Sequence, residues 1–369
     1  MKYIDEFRNN KVITALINEI NHTLATVDSQ ITLMEVCGTH TMAISRYGIR
    51  NILPEKKIRL ISGPGCPVCV TSNEYIDKSI KYAQQKDVII TTFGDMYRVP
   101  GSNRISLEKL KLKSSSPVDI RIVYSPLESL SIAESNKNKT VIFLSVGFET
   151  TTPAIAATVM EAKSRKLANW FILAGNKTIP NAMKLLLDTN EIDISGFICP
   201  GHVSTIIGSA PYNFIAKKYK IPCVITGFEP VDILEGILML LNQITSSVPK
   251  IEIQYHRSVK PEGNKKAVKI MNTVFKKTDS LWRGIGNIPG TGMKLTEKYS
   301  QFNIETCMPV QLPKTTPEQN KGCICGEILR GVKLPNQCRL FRKTCTPENP
   351  VGGCMVSSEG TCAAYFKYS

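Results

Sequence analysis

Across the first 250 residues, short apolar runs alternate with stretches whose apolar positions recur every three or four residues. The runs are Thr32–Val36, Arg59–Ser62, Val88–Thr92, Ile120–Tyr124, Val141–Val146, Trp170–Ala174, Gly196–Cys199 and Cys223–Thr226. Most are apolar throughout rather than alternating, the pattern of parallel strands covered on both faces. The intervening segments, such as Asn73–Gln85, Thr152–Lys163 and Pro180–Asp188, have helical spacing. Strand and helix in regular alternation predict βαβ units and a parallel sheet. Eight strands suit one sheet or two smaller ones. The polar stretch Lys111–Pro117 (KLKSSSP) is expected to link two α/β units. After Pro249 strands become scarce, and basic helical segments lead into a tail rich in Gly, Pro and Cys, expected to form a third domain.

In such folds the loops after the carboxyl ends of strands build the site. The unusual residues fall there: Cys37 after the first run, Gly63–Cys69 after the second, Gly94–Arg98 after the third. Gly147–Thr152, Pro200–Ser204 and Gly227–Asp232 follow three more.

Composition narrows the possibilities. Hydrophobic residues make up 42 % of the 369 and charged residues 21 %, as in globular proteins. No apolar run reaches the roughly 18 residues of a membrane span. Met1–Asn10 is polar, with no apolar segment behind it, so the cytoplasm is the expected compartment and no membrane is expected as a partner. The formal charge is +15, densest over Lys250–Lys298, where eleven Lys and Arg face four Asp and Glu. That stretch lacks the interleaved aromatics of a single-strand-binding surface. It reads first as a solvated face and second as a docking face for an acidic protein, and no nucleic acid is expected. Twelve cysteines in a chain without an export signal point to metal binding or redox chemistry.

Three cysteine groups stand out. Cys37 lies at a strand end in Glu35-Val36-Cys37-Gly38-Thr39-His40. A helix N-terminus there favours the thiolate that binds metal or attacks, and His40 could ligate or move a proton. The competing reading is a small core cysteine. Cys66-Pro67-Val68-Cys69 has the spacing of a reversible disulfide or of two ligands to one metal. In the tail, Cys323, Cys338, Cys345 and Cys362 are separated by fourteen, six and sixteen residues, with Cys325 and Cys354 left over. Four thiolates suit a [4Fe–4S] cluster or zinc. The uneven spacing and absence of tail histidines favour iron–sulfur, and spacing does not choose between Cys323 and Cys325.

The remaining loops carry Asp95 and Arg98, Glu149 with neighbouring hydroxyls, His202, and Glu229 with Asp232. Each reads more readily as a turn or helix cap than as a catalytic group. No phosphate-binding glycine loop, nucleophile elbow or zinc-protease motif is present. Trp282–Gly292 (WRGIGNIPGTG) is glycine-rich but follows no clear strand, so a structured loop is expected.

These strings together resemble the HypD family of [NiFe]-hydrogenase maturation proteins. They are MEVCGTHTMAISRYGIR from Met34, SGPGCPVCVT from Ser62, TFGDMYRVPGS from Thr92, GFETTTPAIA from Gly147, GFICPGHVSTIIG from Gly196, GFEPVDIL from Gly227, WRGIGNIPGTG from Trp282 and the tail from Cys323 to Tyr368. The order is the same over nearly the whole chain. Asn176-Lys177 stands where His-Lys is expected, so a histidine role there does not carry over.

The resemblance implies two Rossmann-like parallel-sheet α/β domains and a C-terminal cysteine-rich iron–sulfur domain. They are expected at 1–115 (completed by 221–240), 116–220 and 241–369. It implies work on the iron centre that carries two cyanides and one carbon monoxide, Fe(CN)2CO, together with a HypC-type chaperone and a HypE-type cyanide donor. Cys37 is then the iron-site thiolate with His40 beside it, Cys66 and Cys69 the redox dithiol, and Cys323, Cys338, Cys345 and Cys362 the [4Fe–4S] ligands. Cys325 and Cys354 are a second thiol pair. The expected character is a metallocentre-assembly protein with redox activity rather than a conventional turnover enzyme, with electrons relayed from cluster to dithiol to iron. The rivals are an iron–sulfur-dependent thiol–disulfide oxidoreductase, a nucleic-acid-binding protein with a structural metal, and a zinc-stabilised scaffold.

Overall fold

The computed structural model describes residues 5–114, 117–312 and 322–369. The strands are β1 (Ile31–Glu35), β2 (Ile58–Ser62), β3 (Val88–Thr92), β4 (Asp119–Ile122), β5 (Thr140–Ser145) and β6 (Trp170–Ala174). They continue with β7 (Gly196–Pro200), β8 (Cys223–Thr226), β9 (Ile251–Ile253), β10 (Phe275–Trp282) and β11 (Gly286–Leu295).

Two parallel sheets form the frame. One has the order β2-β1-β7-β8-β9, the other β4-β3-β5-β6. Every pair in both runs parallel, for example Leu33 beside Leu60 and Phe143 beside Ile172. β1, β3, β7 and β8 are buried along their whole length, which explains their unbroken apolar sequences. The two faces of each sheet belong to different cores. In the second sheet Ile89, Val141 and Phe143 point into one, and Ile90, Ile142 and Leu144 into the other. In the first sheet Leu33, Ile198 and Val224 pack with the helices Asn10–Ala25 and Pro230–Thr245. Met34, Phe197, Cys199 and Ile225 face the opposite core.

Sheet membership differs from the expected division at 115/116 and 220/221. β3 pairs with β4 and β5, so the second sheet already begins at Val88, and β7 pairs with β1, so the chain returns to the first sheet by Gly196. The stretch expected as a linker leads from the helix Leu107–Lys113 into β4, and both pack into the same core. Its Ser115 and Ser116 lie outside the described residues. A polar crossover inside a βαβ unit has the same composition as a linker between units, which is why the two look alike in sequence.

The region expected to be strand-poor carries β9 and an antiparallel hairpin, β10–β11, with a register shift between Thr278 and Ser280. The WRGIGNIPGTG string is the turn and second arm of that hairpin rather than a loop. Its glycines and proline run against strand propensity, so its pattern carried no strand signal.

The cysteine-rich tail has no separate core. Ile328, Leu329, Val351, Cys354, Met355 and Cys362 pack in one cluster with Met34, Ile61, Cys66, Cys69 and Trp282. The last helix, Thr361–Tyr368, lies against the helix Gly38–Arg46.

Candidate functional site

Cys37 occupies the N-cap position of the helix Gly38–Arg46, directly after β1. Beneath it Glu35 is buried, and its carboxylate accepts from the Cys37 N–H (3.2 Å) and the Thr41 hydroxyl (2.5 Å). Burial raises Glu35 to about 7, against the pull of Ser62, Thr41 and Arg50. The loop after β2 closes over Cys37. Gly65 lies so near that a side-chain carbon there would stand 2.2 Å from the Cys37 nitrogen, and Gly38 N–H donates to the Gly65 carbonyl at 3.0 Å. The next residue is Cys66, so the turn places the dithiol loop against the Cys37 backbone.

Cys37 opens onto a cleft of about 430 Å³. Its walls come from loops after β1, β2, β5 and β7, including Phe148, Thr151 and His202, and from Glu359 of the tail. One sheet supplies β1, β2 and β7 and the other β5, so the cleft lies between the two sheets' carboxyl edges, where such folds bind. Glu359 accepts from the Thr39 hydroxyl at 2.6 Å. Burial pushes the Cys37 thiol up to about 12, the Glu359 carboxylate adds to that, and the N–H groups of His40 and Thr39 oppose it.

His40 is not part of the cleft wall. Its Nε2 lies 2.9 Å from the Gly227 carbonyl and 2.8 Å from the Thr226 hydroxyl, at the end of β8. Its Nδ1 is buried with no hydrogen-bond partner among the described residues. Burial lowers its pKa to about 4, so the ring is neutral near pH 7. His202 faces the cleft instead, and both rings pack on Phe228 at centroid distances of 4.7 Å for His40 and 4.1 Å for His202.

Cys66 caps the short helix Pro67–Val70, which contains Cys69, and the Cys66 sulfur accepts from the Cys69 N–H at 3.3 Å. Both are buried. The Cys69 thiol is within hydrogen-bonding reach of Cys354 as well as Cys66; burial first, and then these two sulfurs, push it upward. Cys354 in turn lines an apolar pocket with Cys323, Cys325, Cys338, Cys345 and Cys362. All six tail cysteines converge there, including both candidates that spacing did not separate. Cys323 is pushed up by its hydrogen bond with Cys325 and by burial, Cys345 by burial and the charges of Cys323 and Cys338, and Cys362 by burial and neighbouring sulfurs. All twelve cysteines are free thiols. Among the described residues no three His, Cys, Asp or Glu side chains are grouped as around a single metal ion.

The other singled-out loops serve structure. Glu229 pairs with Arg8 and, with Asp232, caps the helix Pro230–Thr245, while Asp232 also pairs with Arg257. Arg98 donates to the Pro347 carbonyl and so ties the loop after β3 to the tail. Asn176 is buried between Ser145 and Thr152. Buried Glu149 accepts from the Ile179 N–H (3.1 Å), and burial raises it to about 7. Sequence reasoning missed Glu359, which sits within the quoted tail but carries no spacing cue.

Two parallel α/β sheets whose facing loops present a cysteine, with the Cys66–Cys69 loop beside it and six further cysteines around one pocket, define a class: a thiol-rich protein of two parallel α/β sheets. The chain belongs to the HypD family, whose model, described as the hydrogenase formation hypA family, matches residues 11–369. A putative hydrogenase expression/formation protein of Methanocaldococcus jannaschii is 45 % identical over 357 residues, 97 % of each chain. The hydrogenase expression/formation protein HupD of Azotobacter chroococcum is 44 % identical, covering 100 % of this chain and 97 % of its own. The hydrogenase maturation factor HypD of Cupriavidus necator is 41 % identical over the same shares. Among the described residues no helix is long and apolar enough to cross a membrane.

Proposed function

We infer that this hydrogenase maturation factor is a scaffold and electron relay for the Fe(CN)2CO centre of [NiFe] hydrogenases, acting in the cytoplasm with a HypC-type chaperone and a HypE-type cyanide donor. The observation that carries the reading is the succession of cysteines from cleft to tail. It begins at Cys37, whose backbone meets Gly65 next to Cys66, continues to Cys69, and reaches the tail where the Cys69 thiol meets the Gly353 carbonyl at 3.8 Å, next to Cys354 of the tail pocket.

The iron is the substrate, and Cys37 is its thiolate. Soft sulfur ligation suits the electron-rich iron that holds cyanide and carbon monoxide. A thiol held near 12 keeps its proton until a cation replaces it, so iron binding releases that proton into the cleft. His40 acts as a positioning residue: it fixes the start of its helix to the loop after β8.

The tail pocket fits a resident [4Fe–4S] cluster. Its thiols raise one another's pKa, and a metal–sulfur centre relieves that repulsion by taking the place of their protons. Cys323, Cys338, Cys345 and Cys362 are its ligands, leaving Cys325 and Cys354 as a second thiol pair. Once bound, the cluster supplies single electrons. Oxidation of the Cys66–Cys69 dithiol to a disulfide releases two electrons and two protons, and Cys354 against Cys69 connects that pair to the tail.

The test is anaerobic purification of the protein co-expressed with its partners. Wild-type protein is expected to show iron–sulfur absorption and cyanide and carbonyl infrared stretches. Cys37→Ser is expected to lose the stretches and keep the absorption. Stretches that survive in Cys37→Ser sink the assignment of the iron site. Iron–sulfur absorption in the wild type with no stretches at all favours a thiol–disulfide oxidoreductase.

A further inference from the structure

Arg283 is the largest unexplained charge in the interior. It follows Trp282 at the tip of the β10–β11 hairpin and is buried. Its Nε donates to the Thr71 carbonyl at 2.7 Å and one terminal nitrogen, Nη2, to the Pro100 carbonyl at 2.8 Å. Its other terminal nitrogen, Nη1, has no hydrogen-bond partner among the described residues. A buried guanidinium stays protonated and needs an anion to compensate it. No carboxylate is recorded in an ion pair with it among the described residues. Burial pulls its pKa down, and the hollow it borders is shared with Cys323 and Cys325.

Geometry places Arg283 at the same junction. With Cys323, Cys325 and Gly326 it lines a hollow of about 240 Å³ on the outer side of the thiol pocket. Its own N–H donates to the Val70 carbonyl at 2.9 Å, one residue beyond Cys69. Arg330 lines the same hollow, but its charge is already spent: Nε pairs with Glu191 at 2.9 Å and Nη1 donates to the Gly284 carbonyl at 2.8 Å. Glu327, the carboxylate of the hollow, pairs with Lys333 at 2.6 Å, so among the described residues lining the hollow Arg283 is the cation with no ion pair.

We propose that Arg283 is the buried counter-charge of the sulfur junction, a positioning residue that stabilises the negative charge arriving at a metal centre bordered by Cys323 and Cys325, the cysteines that share its hollow. An electron added in a low-dielectric interior is stabilised by a fixed cation a few ångströms away far more than it would be in water. The effect raises the reduction potential, since net charge is one of the protein's levers on such centres. The proposal rests on the reading of the tail as a redox centre, and the two fail separately.

The experiment uses anaerobically purified full-length protein with two readouts. One is the dithiol–disulfide equilibrium of the Cys325–Cys354 pair, read by alkylation and mass spectrometry in defined thiol buffers. The other is the midpoint of the iron–sulfur absorption. Arg283→Gln keeps a donor for the carbonyls and removes the charge. It is expected to lower the midpoint of the iron–sulfur absorption by about 59 mV, a tenfold change for one electron, and to leave the Cys325–Cys354 equilibrium, whose electrons arrive with protons, within about threefold. Arg283→Lys keeps the charge and is expected to stay within about threefold of wild type, a ratio of reduction constants read on the same scale. Asn73→Asp gives an independent route: Asn73 lines the hollow beside Arg283, its side-chain oxygen has no hydrogen-bond partner among the described residues, and a carboxylate suits the start of its helix. That carboxylate neutralises Arg283 without touching its clamp, and a fall like that of Arg283→Gln is expected. If Arg283→Gln does not fold, Asn73→Asp decides. Unchanged potentials in Asn73→Asp, or an equal fall in Arg283→Lys and Arg283→Gln, overturn the proposal and leave Arg283 a clamp on Thr71 and Pro100. Wild-type protein without iron–sulfur absorption sinks the reading of the tail, whereas absorption whose midpoint ignores the loss of the Arg283 charge sinks the proposal alone.

Discussion

At the scale of the residue, the thiols were legible and their modulators were not. Cys37, Cys66, Cys69 and the tail cysteines announce themselves as rare residues in rare strings. Glu359 meets Thr39 across 320 positions of sequence, and a contact of that span leaves no periodic trace. Arg283 was hidden in the same way, read as part of a glycine-rich loop. His40 shows the converse: three residues from Cys37, it is held by Thr226 and Gly227 at the end of β8 instead of lining the cleft. Glu149 yields a prediction at this scale. Its folded pKa of about 7 exceeds the ordinary 4.5, so the native state keeps its proton to higher pH than the unfolded chain does. Stability is therefore lost as pH rises from about 4.5 to about 7. Glu149→Gln removes this loss. Relative to wild type it is expected to gain up to about 3 kcal/mol between pH 5 and pH 8 in urea unfolding. A constant difference across that range rules the shift out.

Among elements, the strands of both sheets were readable because two-sided burial writes continuous apolar runs, as in Val88–Thr92 and Cys223–Thr226. Their assignment to sheets was not, since the pairing of β1 with β7 is a long-range choice that local pattern does not encode. The β10–β11 hairpin escaped notice because Lys276 and Lys277 face solvent and only Phe275 and Trp282, at the ends of its first arm, are fully buried. The loop after β2 makes the sharpest demand at this scale. Gly65 has backbone, not a flexible side chain, against it on the Cys37 side. Gly65→Ala must therefore move the loop. It is expected to cost about 2 kcal/mol or more in denaturant unfolding and to speed alkylation of Cys37. Unaltered stability and alkylation would show that the loop gives way freely.

For the molecule as a whole, the tail is better described as a plug than as a third domain. Met355 lies in the tail yet is buried in the same cluster as Cys69, Trp282 and the first sheet. Met355→Ala is expected to cost about 3 kcal/mol and to raise the alkylation rate of Cys69, although the two belong to segments far apart in sequence. Lost stability with Cys69 still protected would mean that the plug can loosen without opening the dithiol. The shared core also governs the order in which the protein can be made. The core on the Met34 face of the first sheet, which also holds Cys66 and Cys69, is completed by residues after Cys323, synthesised after both sheets. Nascent chains must hold that face open until translation reaches the tail. A chain cut short before the tail should therefore be a better protease substrate than the full-length one.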